Sequence, residues 1–194
     1  MIKLQIILLP IIIASTLLTG AVNADTYSPD YMEQIVAAIS EGDIDKAKSL
    51  NEQRNEKIDA MELDAVKIDI DELDLLSKIV HLEAGCSWLT EEHRRLVASV
   101  AINRVASPEF PNTIKEVLEQ PGQYWGDYIN GVTPWLWCVE SALYVLEHGS
   151  VAPESVVFQS EGKQGSGVYK AIYDETLGST TYFCFSSRPE LYEN

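Results

Sequence analysis

The chain has 194 residues, 46% hydrophobic and 23% charged, with a formal net charge of −16. That length suits one domain with a core of its own plus a small appendage. So large an acidic excess argues against nucleic acid or an anionic membrane surface as partner, and leaves a neutral polymer open.

Residues 1–24 read as a signal peptide. Lys3 precedes an apolar run, "LQIILLPIIIASTLLTG", and Val22 and Ala24 are small residues placed for cleavage. Pro10 and the polar residues in the run weigh against a retained anchor. The expected mature chain starts at Asp25, is secreted to the cell wall or another extracytoplasmic site, and makes no stable membrane insertion. Of Cys86, Cys138 and Cys184, either one or all three stay unpaired. Cys138 with Cys184 is the favoured pair, since both lie in strongly apolar elements.

Residues 25–70 form a predicted helical hairpin. Ile35, Ala38 and Ile39 share a stripe, Gly42 breaks it, Asp43 caps the next helix, and Ile44, Ala47 and Leu50 continue an apolar face. Two helices this short are not stable alone, so the hairpin is expected to pack on the main domain.

Residues 71–194 are the predicted catalytic domain. Its first helix holds "LLSKIVHLEAG", with Leu76, Ile79 and Glu83 at i, i+3 and i+7, and Gly85 as a left-handed stop. A glutamate on that stripe is expected to face the core, where a carboxyl is rare unless something pairs with it. Thr90 caps "EEHRRLVASVAINRVA", which is predicted to bury Leu96, Val97, Val100, Ala101 and Val105. "SPEFPNT" is a loop, "TIKEVLEQ" a short helix, and Thr133–Pro134 opens a helix running through Glu147 with Gly149 beyond it. "SVVFQS" and "TTYFCF" read as two strands, separated by "EGKQGSGVYKAIYDETLGS". The expected class is α+β, mainly helical, with a small antiparallel β-sheet near the C-terminus.

Three segments in this order, "LLSKIVHLEAG", "VASVAINRVASPEFPNTIKEVLEQPGQY" and "VVFQSEGKQGSGVY", resemble the SleB-type cell wall hydrolases, a family that includes spore cortex-lytic enzymes. The resemblance covers about residues 72–185. It implies a lysozyme/lytic-transglycosylase-like fold acting on peptidoglycan glycan strands without cofactor or metal, and Glu83 as the catalytic acid. It also implies lytic transglycosylase chemistry, in which one carboxyl acts first as acid and then as base and leaves a 1,6-anhydromuramic end. The family pattern carries a His in the last strand, where this chain has Tyr182.

The residues themselves support an acid. An apolar setting raises a carboxyl pKa and keeps the group protonated, and Trp88, Tyr124 and Trp125 are candidates for the apolar wall. A salt bridge from Glu83 to Arg94, Arg95 or Arg104 is the competing, purely structural role. Gln120, Gln123, Tyr124 and Trp125 in one loop, and Gln159, Gln164 and Tyr169 in the sheet region, are the expected substrate-binding residues, since sugars want flat aromatic faces and amide hydrogen bonds. Trp135 and Trp137, on a helix, are expected to be core. Asp127, Glu161 and Asp174 are the other carboxylates at hand, and none is assigned a catalytic role.

Four further readings compete. A zinc site built from His81, Glu83, His93 and Cys86 suffers because His81 and Glu83, two apart on a helix, face different sides. A Cys138–His148 nucleophile suits an oxidising compartment poorly. The main rivals are an inactive peptidoglycan-binding module and a plain muramidase or glucosaminidase hydrolase. The oligomeric state and the choice between cortex and vegetative wall are not legible.

Overall fold

A computed structural model gives the structure of residues 29–121, 124 and 129–193. The predicted signal peptide lies outside these residues, as do Gln123, Trp125 and Asp127.

The hairpin comes first. Helix α1 (Pro29–Glu41) ends where Gly42 turns at φ 80°, and α2 (Ile44–Ala60) starts at Asp43, whose carboxylate accepts the Lys46 N–H. Ile35, Ala38, Ile39, Ala47 and Ile58 are buried, and α1 packs on both α2 and the helix of residues 136–148. The link to the next helix is stitched by side chains. Asn51 Nδ2 donates to Ile68 O at 2.9 Å, and Arg54 Nη1 to Val66 O at 3.1 Å.

Helix α3 (Ile70–Ala84) is capped by Asp69, whose Oδ1 accepts the N–H groups of Asp71 and Glu72. Its buried face is Leu73, Leu76, Ser77, Ile79, Val80 and Ala84. Glu83 itself is exposed, which corrects the expected core-facing position. Ala84 beside it is buried, so the last turn of α3 still packs and turns its Leu82 and Glu83 side to solvent. Gly85 differs from expectation as well. It is right-handed (φ −70°, ψ −19°) rather than left-handed, and the reason for glycine is space. An added Cβ would meet His81 O at 2.2 Å, while Gly85 O accepts the Trp137 indole N–H at 3.1 Å.

Helix α4 (Glu91–Ala106), capped by Thr90 as expected, is buried on nearly every side, polar residues included. Its buried cations and amide each reach backbone carbonyls. Arg94 Nη1 reaches Leu89 O at 2.7 Å, Arg104 Nε reaches Val157 O at 2.7 Å, and Asn103 Nδ2 spans Pro153 O and Val156 O at 2.8 and 3.0 Å. Helix α5 (Ile114–Leu118) follows with Thr113 as its cap. Helix α6 (Leu136–His148) begins after Pro134, because Trp135 is extended and gives its N–H to His81 Nδ1 at 3.3 Å. Trp135 is 46% exposed, so the expectation that it is core does not hold.

The sheet has three strands, β1 (Val156–Ser160), β2 (Val168–Asp174) and β3 (Ser179–Phe185), in the antiparallel order β1-β3-β2. The sequence reading took β2 for part of a connection. Its residues alternate but stay mostly exposed, so its apolar signal is weak. A 3₁₀ turn (Pro189–Tyr192) closes the described chain. The class is the expected mixed α+β, and the arrangement is consistent with a lysozyme-like domain.

The three cysteines are free thiols. The favoured Cys138–Cys184 pairing is thereby corrected, since α4 packs against α6 on one side and against the sheet on the other.

Candidate active site

Four elements bring side chains to the end of α3. Gln159 on β1 donates from Nε2 to Glu83 Oε2 at 3.3 Å. Arg104, in the last turn of α4, is held by Val157 O, and its guanidinium lies 5.1 Å from the Phe110 ring centre and 5.2 Å from that of Tyr124. Glu83 forms no ion pair with Arg94, Arg95 or Arg104 among the described residues, so the purely structural salt bridge is absent there.

The carboxyl is open to solvent on one side and crowded by protein on the others. Burial is the main influence and raises its pKa above the ordinary glutamate range, while the Gln159 hydrogen bond and the Arg104 charge pull it down. Tyr124 feels the same two charges. Its hydroxyl is pushed up by burial first, with Arg104 lowering and Glu83 raising it further. Tyr124 therefore stays a neutral O–H donor beside the acid.

Around Glu83, polar atoms are left over. Gln159 Oε1, Arg104 Nη1 and the Tyr124 hydroxyl are buried and without a hydrogen-bond partner among the described residues. Buried polar groups cost free energy unless something meets them, and a ligand rich in hydroxyls and amides would do so.

The other expected residues scatter. Gln120 is half-buried on the loop leading to Tyr124, with its Oε1 also unpartnered. Gln164 is exposed and gives its backbone N–H to Cys184 Sγ, and Tyr169 packs edge-on against Phe185 at 5.9 Å. Their contacts are with β3 and not with Glu83. Trp88 joins Asp174 at 3.0 Å, away from the acid, so Tyr124 is the described member of the expected wall. Tyr182, where the family pattern has His, stands near Lys163. Arg104 was weighed only as a salt-bridge partner, yet its neighbour Asn103 marks the pair. Polar residues inside the apolar pattern of α4 need buried partners, and those partners are on β1.

Residues 90–164 match the family model described as Cell Wall Hydrolase. Over this segment the chain is similar to cell wall hydrolases. The matched segment contains Arg104, Tyr124 and Gln159, and begins seven residues after Glu83. No curated protein and no solved structure matches the chain. The description of that family supports action on the cell wall, whose polymer is peptidoglycan. Among the described residues, no helix is long and apolar enough to cross a membrane.

Proposed function

We propose that the domain cleaves the glycan strand with Glu83 as its single catalytic carboxyl, as a lytic transglycosylase. The observation that carries this reading is the raised pKa of Glu83 beside unpartnered Gln159, Arg104 and Tyr124 atoms. In the first step, Glu83 gives its proton to the glycosidic oxygen as the bond to the muramic C1 breaks. Arg104 supports the carboxylate that results, and Tyr124 and Gln159 orient the sugar. In the second step the carboxylate takes the proton of the muramic 6-hydroxyl, whose oxygen closes on C1. The product is a 1,6-anhydromuramic end, and no water is consumed.

Two-carboxylate glycosidases place their acid and its partner within about 10 Å of each other. Among the described residues, which exclude Asp127, the groups acting on Glu83 are an amide and a guanidinium. Asp174 is engaged with Trp88, and Glu161 is exposed on the turn after β1. That favours the single-carboxyl route over a plain muramidase or glucosaminidase.

The test is digestion of purified peptidoglycan by the mature protein and by Glu83→Gln, with products read by mass spectrometry. The expected result is anhydromuramic ends from the wild type and a loss of at least about 100-fold in the variant. Reducing ends would make the enzyme a hydrolase using the same acid. Binding of cortex or vegetative wall without cleavage would make it a binding module.

A further inference from the structure

A concave site lies beyond the sheet's β2 edge. The turn after α3, the first turn of α4 and the end of β2 enclose a cavity of about 330 Å³, lined among others by Trp88, Thr90, His93, Tyr173, Asp174 and Glu175. Trp88 is 51% exposed, yet its indole is fixed, because Nε1–H donates to Asp174 Oδ2 at 3.0 Å. Asp174 is buried and fixed in turn. Its Oδ1 accepts the N–H groups of Thr176 and Leu177 at 2.8 and 3.1 Å. His93 is only 3% exposed, and its Nδ1 has no partner among the described residues. A half-exposed aromatic face held by a pinned carboxylate, beside an unpartnered buried imidazole nitrogen, is a prepared surface rather than leftover packing.

The site is separate from Glu83. Gln159 pairs with Phe183, Phe183 with Lys170, and Asp174 follows four residues further along β2. Strand spacing and rise then put it roughly 16 Å from Gln159, farther than one sugar ring spans.

We propose that this cavity binds a neutral saccharide ring of the same glycan strand, stacked on Trp88, with hydroxyls hydrogen-bonded to Asp174 and to His93 Nδ1. The proposal rests on peptidoglycan being the polymer bound at Glu83. The ring is neutral because Asp174 and Glu175 oppose an acidic unit such as one bearing a peptide carboxylate. Stacked aromatic contacts hold such a ring by its apolar face, while the carboxylate takes its O–H groups.

The test follows the Trp88 indole N–H signal in ¹⁵N-labelled Glu83→Gln protein during titration with a β-1,4-linked N-acetylglucosamine tetrasaccharide. The signal is expected to shift to saturation. Trp88→Ala should raise KM on glycan strands about 5-fold with kcat unchanged, and Trp88→Phe should restore most of the loss. A Trp88 signal that stays fixed while the wild type still cuts peptidoglycan overturns the subsite and leaves the Glu83 reading intact. A shift with the tetrasaccharide in a protein that cuts nothing keeps the subsite and overturns the catalytic reading. A signal moved by a lysine-containing peptide and not by the sugar overturns the saccharide assignment. No response and no cleavage overturn both.

Discussion

Protein atoms around Glu83 raise its pKa, and Gln159 and Arg104 offset part of that rise. The sign of each influence gives a pH prediction. A general acid must be protonated, so kcat/KM falls as pH rises through the Glu83 pKa, giving an alkaline limb above the ordinary glutamate range. Gln159→Leu removes the hydrogen bond that favours the carboxylate, and the limb should move to higher pH in a pH–rate profile. A limb that stays in place would detach Gln159 from the acid. Stability follows the same group. In acid, the carboxyl is protonated in folded and unfolded chains alike. As pH rises past the ordinary glutamate pKa, the unfolded chain ionises first and stability falls, until the folded pKa is passed and the loss is complete. Glu83→Gln is free of that loss, so its Tm should exceed the wild type's at neutral pH and converge with it in acid.

The joint between α3 and α6 sets where that acid stands. Gly85 has no room for a Cβ against the His81 carbonyl, and its own carbonyl holds the Trp137 indole. Gly85→Ala should cost about 2 kcal/mol in chemical denaturation, and lower activity by more than the unfolded fraction explains. A variant with wild-type stability and activity would show that the end of α3 moves freely. On the opposite side, Asn103 and Arg104 tie α4 to β1, and β1 presents Gln159 to the acid. At this scale the helices were legible, because Asp43, Thr90 and Thr113 are capping residues followed by regular apolar spacing. Strand β2 was not. Lys170 and the exposed Tyr169 and Tyr173 interrupt its apolar pattern, and only pairing with β3 makes it a strand.

The hairpin and the rest of the molecule share one core, in which Ile35 and Ile39 of α1 join Leu76 of α3 and Val139 of α6. All four tryptophans stand at or after residue 88, so fluorescence reports only on the later part of the chain. Ile39→Ala should cost about 3 kcal/mol, and should lower the fluorescence and far-ultraviolet dichroism midpoints together. A fluorescence midpoint left unchanged would separate the hairpin from the rest of the chain.

The sequence by itself determined the helices, the α+β class, the family resemblance and the interest of Glu83, since these rest on spacing, caps and motif order. Tertiary structure decided which residues meet. It put Gln159, Arg104 and Tyr124 beside Glu83, sent Trp88 to Asp174, and set Gln164 and Tyr169 against β3. It also left Glu83 exposed rather than in the core. Local spacing records which face of an element is apolar, but not where its partner ends. The height at which a side chain leaves the core depends on contacts between residues far apart in the chain.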